Sequence, residues 1–205
     1  MKNFFKIVIL IALIAALSLA LLSCGTTAYW REQGDDTQDI ETDVAEVNGS
    51  EKYIVYVALD SSGAYIVKNA GTTVASYAVI GYTGLVAELV IPAEYQGKNV
   101  TRVIVLPDYT SYECSMDGAA YTGDDPRLAN NPVVTSIVFG SNVVSVGAGV
   151  CAGMVNLNTV RFTASSAVTL GHAAFSACNA LETVTGSWTP ASGATPFLAS
   201  GYTPQ

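Results

Sequence analysis

The sequence predicts a mostly β chain. It forms a short solenoid of about two to three coils, capped by an N-terminal β-meander. Three observations carry that expectation. One phrase recurs: Val134-Thr-Ser-Ile137-Val-Phe139 lines up with Leu157-Asn-Thr-Val160-Arg-Phe162 and with Leu181-Glu-Thr-Val184-Thr. Apolar residues hold the first, fourth and sixth places of the two full copies, and the first and fourth of the third. The spacing is regular, 23 residues from Val134 to Leu157 and 24 from Leu157 to Leu181. A second block then trails each of the first two copies: Val146-Gly147-Ala-Gly-Val-Cys151-Ala-Gly-Met154 and Leu170-Gly171-His172-Ala-Ala-Phe175-Ser-Ala-Cys178.

Each piece of the repeat has a physical reading. Val160 and Phe162 are two apart, so on a strand both face the same side. Val168 and Leu170 do the same on a second short strand. Gly147 and Gly171 fall where a coil turns sharply and a side chain would cost energy. Phe175 and Cys178 are three apart, which predicts a helical or 3₁₀ return. One such coil cannot bury both its flanks, so only a stack is stable, and its ends need covers. A period of 20 to 29 residues with this alternation belongs to leucine-rich-repeat solenoids.

The run Leu157-Asn-Thr-Val160-Arg-Phe162, continued by Val168-Thr-Leu170-Gly171-His172-Ala-Ala-Phe175-Ser-Ala-Cys178, resembles the BspA-like (Treponema pallidum-type) leucine-rich repeats of bacterial surface proteins. The upstream pieces Gly81-Tyr-Thr-Gly84, Leu89-Val-Ile-Pro92 and Gly97-Lys-Asn-Val100-Thr-Arg-Val103 look like the lead-in coil of that family. In the coil before, Cys151 stands where the family has Phe and Met154 where it has Cys. The resemblance implies adhesion, or interaction with host or neighbouring-cell proteins.

Residues 1–23 read as a secretory leader. Lys2 and Lys6 precede an apolar run from Ile7 to Leu22 that only Ser18 interrupts. Leu21-Leu22-Ser23-Cys24 resembles the lipobox of bacterial lipoproteins, which implies cleavage before Cys24 and acylation of it. Acyl chains anchor a protein to the membrane by burying methylenes, and more than one chain holds firmly. Residues 24–52 then form an acidic, flexible tether with too few apolar groups to order itself. Its acids lack the glycine and terminal Glu of a calcium loop, so no metal site is expected. The chain has a net charge of −8. Eight of its 17 acids lie between Glu32 and Glu51, and residues 52–205 carry nine acids against six bases. With no basic stripe, nucleic acid is not an expected partner.

Residues 53–83 read as a β-meander cap. Tyr53–Leu59 is strand-prone, Asp60-Ser-Ser-Gly63 is a turn, Ala64–Val67 returns, and Val74–Ile80 is a further strand. Residues 84–188 hold the repeats. The strand lines Val86–Pro92 and Val100–Pro107 are only 14 residues apart, so the first is assigned to a lead-in turn. Residues 108–132 form an irregular insertion whose Tyr109, Tyr112 and Tyr121 are candidates for a binding loop. The same tyrosines could instead pack over the adjoining coil. Residues 189–205 form a tail or far cap, with Trp188, Phe197 and Tyr202 as anchors.

Catalytic chemistry has no visible carrier. Nucleophile-elbow, Walker, zincin and dinucleotide-binding patterns are absent from the sequence. His172 is the one histidine, and no cysteines stand at C-x-x-C spacing, so neither a cofactor nor a zinc site is expected. Cys114, Cys151 and Cys178 read as small buried apolar residues. The expected binding face is the row of outward positions Ile104, Val138, Arg161 and Thr185, flanked by Ser136, Thr159 and Thr183. The chain is thus expected to be exported and lipid-anchored in the bacterial envelope, at the outer membrane or cell surface. There it would display a binding module rather than act as an enzyme. The alternative is a structural envelope lipoprotein without an external ligand.

Overall fold

The computed structural model describes residues 49–204. The leader, Cys24 and the tether up to residue 48 lie outside the described residues. The tether expected over 24–52 ends sooner than its composition suggests. Ser50–Tyr53 form a 3₁₀ turn, and Ser50 is fully buried, with its Oγ accepting the Val90 N–H at 3.0 Å. Among the described residues the strands in chain order are β1 (Ile54–Leu59), β2 (Ser76–Tyr82), β3 (Glu88–Ile91), β4 (Glu94–Tyr95), β5 (Lys98–Val103), β6 (Cys114–Met116), β7 (Ala119–Ala120), β8 (Ser136–Phe139), β9 (Ser145–Val146), β10 (Thr159–Phe162), β11 (Val168–Leu170), β12 (Thr183–Thr185) and β13 (Trp188–Pro190).

These strands stack into a β-solenoid of about five turns, with almost no helix. One wall is a parallel sheet in the order β12-β10-β8-β3. The other runs β13-β11-β9-β5-β2-β1-β6-β7, with β4 paired to β5. It is parallel from β13 to β2 and antiparallel beyond. Each coil puts one strand in each wall: β3 with β5, β8 with β9, β10 with β11, β12 with β13. The rung β2 begins the stack.

The stack is longer than the two to three coils expected, for two reasons. The lines at 86–92 and 100–107 are not two copies of one strand. They are β3 and β5, the two walls of a single coil, so their 14-residue offset is the width of a coil and not a broken repeat. At the other end, residues 189–201 continue the repeat and complete a coil: Phe175 N–H donates to Pro196 O at 2.9 Å, and Gly201 N–H to Cys178 O at 3.0 Å.

Parallel pairing in register makes the core. Leu89, Ile137, Val160 and Val184 form one inward row of the four-stranded wall; Ile91, Phe139 and Phe162 form the next. Phe139 stacks on Phe162 at 5.0 Å between ring centroids and meets Phe175 edge-on at 6.3 Å. Phe175 stacks on Phe197 at 5.5 Å, and Trp188 and Tyr202 close on Phe197. Trp188, Phe197 and Tyr202 thus act as the anchors expected of the C-terminal segment.

The third side of each coil is a chain of turns, not the helical return that the Phe175–Cys178 spacing suggests. Gly149, Gly153, Ala173, Ala177 and Ala199 have φ of 52° to 73°, which interrupts any helical run. Their neighbourhood alternates short turn bonds along the chain, such as Ser176 N–H to Ala173 O at 3.0 Å, with bonds from coil to coil: Cys151 N–H to Ala174 O at 2.8 Å, Gly153 N–H to Ser176 O at 2.8 Å, Ala177 N–H to Leu198 O at 3.1 Å. Gly171 owes its identity to the stacking as well. Its φ is not positive; a Cβ there would stand 2.5 Å from the Ala148 nitrogen of the preceding coil.

The N-terminal cap differs from a three-stranded meander. Residues 64–67 make only isolated bridges, Leu59 with Tyr65 and Val67 with Tyr112. β1 pairs directly with β2. The Asp60 carboxylate accepts the Ser62 and Ala64 N–H groups at 2.8 and 3.0 Å, which turns the chain after β1. β1 is buried along its whole length because both faces are covered. Ile54, Tyr56 and Ala58 join the main core, and Val55, Val57 and Leu59 face a second one.

That second core is roofed by the insertion. β6 pairs with β1, and the Asp117-Gly118 turn, with φ of 47° and 79°, returns the chain as β7. The insertion ends before residue 132. Pro126 O accepts the Tyr82 N–H at 2.7 Å, and Leu128 is back in the main core. The carbonyl of Pro126 lies where a Cβ on Gly81 would be, so only glycine fits there.

Replacing Phe139 by Ala should destabilise the fold by about 3–5 kcal/mol in chemical denaturation, the usual cost of emptying an aromatic site in a core. Replacing Ala177 by Gly should raise stability by up to about 1 kcal/mol, because the left-handed backbone there suits a residue without Cβ. A drop in melting temperature for Ala177→Gly would contradict this account of the third side.

Candidate functional site

The four-stranded wall carries the candidate binding face. Its inward residues alternate with outward ones, and parallel register sets the outward ones in rows. The first row is Glu88, Ser136, Thr159 and Thr183; the second is Val90, Val138, Arg161 and Thr185. Six of the expected face residues, Ser136, Thr159, Thr183, Val138, Arg161 and Thr185, are therefore brought together. Ile104 is not. It follows β5 on the opposite wall and packs, half-buried, against the second core. Its place in the row belongs to Val90.

The reason for that misplacement is the insertion between β5 and β8, which adds β6 and β7 to β1 and lengthens the spacing without adding a coil. The spacing from Leu89 to Ile137 is 48 residues, twice the 24 of a repeat, and this was the signal for Glu88 and Val90. The two rows differ in character. Glu88 and Thr183 are exposed at the ends of the first row, with Ser136 and Thr159 half-buried between them. Val90 is buried at one end of the second row, and Thr185 is exposed at the other. Asparagine and threonine side chains tie successive coils along the edge of this face. Asn158 Nδ2 donates to Ala180 O at 3.3 Å, Asn156 Nδ2 to Pro132 O at 2.7 Å, and Thr163 Oγ1 to Phe139 O at 2.8 Å.

Tyr109, Tyr112 and Tyr121 do not make a free contact loop. All three pack on the second core, and Tyr121 is only 7% exposed. Tyr109 and Tyr121 lie 6.1 Å apart by ring centroid, and Tyr112 meets Tyr65 edge-on at 5.5 Å. The Tyr121 hydroxyl donates to Asp124 O at 2.5 Å and the Tyr109 hydroxyl to Gly123 O at 3.2 Å. Their cause is the sheet beneath: β1 and β2 expose Val55, Val57, Ala78 and Ile80 on the outer side, and that apolar surface needs a roof.

The remaining reactive side chains are held in structural roles. Cys114, Cys151 and Cys178 are buried and free. Cys178 Sγ donates to Cys151 O at 3.1 Å, one coil back. Burial pushes the Cys114 and Cys178 thiols up to about 11, and Cys151 well above its ordinary value. None is a thiolate near neutral pH, so none is poised as a nucleophile. His172 is exposed at a coil corner, where its Nδ1 accepts the Thr195 N–H at 3.3 Å. Among the described residues no three His, Cys, Asp or Glu side chains converge on a metal-sized site.

A parallel β-solenoid with one regular, outward-facing wall is the class that this fold defines. No family model, curated protein or solved structure matches the chain.

Ionisation of the buried thiols contributes to the loss of stability at alkaline pH. Unfolding frees Cys114 and Cys178 to ionise near 9, while the folded chain holds them neutral up to about 11. Their contribution is intact below pH 9 and is lost as pH rises towards 11. Denaturation midpoints measured across that window should fall, and Cys178→Ala should flatten part of the fall. Thiol-labelling reagents at pH 8 should modify these cysteines only as fast as the fold opens.

Proposed function

We propose that this chain is a bacterial cell-envelope lipoprotein that displays a leucine-rich-repeat binding module of BspA-like type, for adhesion or protein–protein contact at the cell surface. The observation that carries the reading is the pair of in-register outward rows, Ser136-Thr159-Thr183 and Val138-Arg161-Thr185. A repeated, rigid wall presents side chains at strand spacing, about 4.8 Å apart across the sheet. Such a surface matches an extended partner without ordering itself at the moment of binding. Small hydroxyls, one aliphatic residue and one guanidinium make it a polar contact face with a single cation near its centre, Arg161.

The envelope assignment rests on the leader and on Leu21-Leu22-Ser23-Cys24. Those residues support membrane attachment through Cys24, and the resemblance of the repeats to the BspA-like type supports a host or neighbouring-cell protein as ligand. No enzymatic step is assigned to the face, since it lacks a nucleophile with an adjacent base.

Two measurements test this. Metabolic palmitate labelling should mark the wild-type chain and be lost in Cys24→Ser; retained label would refute the anchor. Protein captured from host or neighbouring cells by the wild-type domain should bind Arg161→Glu at least about tenfold more weakly. Unchanged capture would move the contact to another surface. Protease resistance on intact cells, lost only after lysis, would favour a structural envelope role.

A further inference from the structure

The wall that carries β2, β1, β6 and β7 runs past the four-stranded wall, which begins at β3. A cleft of about 480 Å³ opens on this overhang, within the size range of small-molecule sites. It lies on the opposite wall from the rows that form the candidate binding face. Ala58, Val74 and Ala120 supply apolar lining. Polar groups reach it from four segments: Lys68 and Asn69, Tyr77, Gln96, and Glu113 with Ser115.

The cleft is built from braced parts. The β4–β5 hairpin tip meets the β6–β7 tip, where Gly118 N–H donates to the Tyr95 hydroxyl at 2.8 Å. Tyr95 stacks on Tyr56 at 3.9 Å, and Tyr77 meets Tyr95 edge-on at 4.9 Å. The Tyr77 hydroxyl donates to Gln96 Oε1 at 2.8 Å, which occupies the amide oxygen and leaves the amide N–H groups as donors. The Tyr77 phenol is held neutral, chiefly by burial, so it stays a donor across the physiological range.

Two opposite charges meet at the rim. The Val67–Tyr112 bridge, with Lys68 N–H bonded to Ser111 O and Glu113 N–H bonded to Ile66 O, makes Lys68 and Glu113 diagonal neighbours on one face. They form no ion pair with each other, whereas Arg127 pairs with Asp125. An ammonium and a carboxylate thus stand side by side, each open to a counter-charge. A small ligand that bears a carboxylate and an ammonium on one carbon can satisfy both.

We propose that this cleft binds a zwitterionic α-amino acid. The ligand carboxylate pairs with Lys68, its ammonium with Glu113, and the Gln96 amide donates to the second carboxylate oxygen. A small or medium apolar side chain lies against Ala58, Val74 and Ala120. The rim is open to water, so affinity is modest, in the millimolar range.

Saturation-transfer NMR on the full chain tests this with L-leucine as probe. L-leucine should give a response, and N-acetyl-L-leucine amide, which has neither charge, should give none. Lys68→Ala and Glu113→Gln should each weaken L-leucine binding by about two- to fivefold. Lys68 is exposed and Glu113 half-buried, and unchanged thermal melts would show that the fold is kept. Arg161→Glu, on the other wall, should leave the response intact, which separates this site from the proposed partner face. The proposal is overturned by no response to L-leucine, by an equal response to the blocked amide, by indifference to both rim substitutions, or by a stronger response to a neutral disaccharide.

Discussion

Coil-on-coil registry is the constraint from which the rest of this molecule follows. Each coil hydrogen-bonds to the next on three sides, and the same inward position recurs at each level. Because Ile137 pairs with Val160 and Phe139 with Phe162, apolar side chains lie directly over one another instead of interleaving. The interior is thus a set of columns. Phe139 on Phe162 and Phe175 on Phe197 are its largest members. A slip of one residue in any coil would turn its apolar row to water and break every column at once.

The same registry shapes what is exposed. Side chains that alternate with the columns are forced into rows on the outer surface, whatever their chemistry. Val138, Arg161 and Thr185 stand in line because their neighbours are locked, not because they attract one another. Recognition on such a wall needs no loop ordering, so its specificity resides in residue identity at fixed spacing. Corners are governed similarly. Gly171 is small because the previous coil's backbone occupies the space a side chain would need.

A stack of this kind has exposed flanks, and the N-terminal half of the described chain deals with one of them. β2 continues one wall, β1 doubles it, and Ser50 satisfies the outer N–H of Val90 on the other. The antiparallel extension creates a new apolar surface on its outer side, which the tyrosine-bearing insertion then covers. The overhang also leaves a cleft where one wall outruns the other. Covering a flank and forming a cleft are therefore two results of one structural move.

Periodicity made the solenoid legible, because an apolar residue at every second strand position and every 23rd or 24th place can satisfy little else. The anchors Phe139, Phe162 and Phe175, and six of the seven face residues, could be read from that local pattern, whereas Phe197 was legible only as an anchor of a tail or cap. Sequence alone also determined the charge balance and the burial of the cysteines. What only the tertiary structure decided involves contacts between segments far apart in the chain. The 14-residue spacing of β3 and β5 has two meanings until pairing partners are known, and only the 48-residue interval from Leu89 to Ile137 sets Val90 apart from Ile104. Tyr109, Tyr112 and Tyr121 read either as contact makers or as packing residues until β1 is seen to need a roof. The third side looks helical until alternate N–H groups, such as those of Cys151 and Gly153, are found bonded to the next coil, since short-range spacing cannot report a hydrogen bond that closes two dozen residues away.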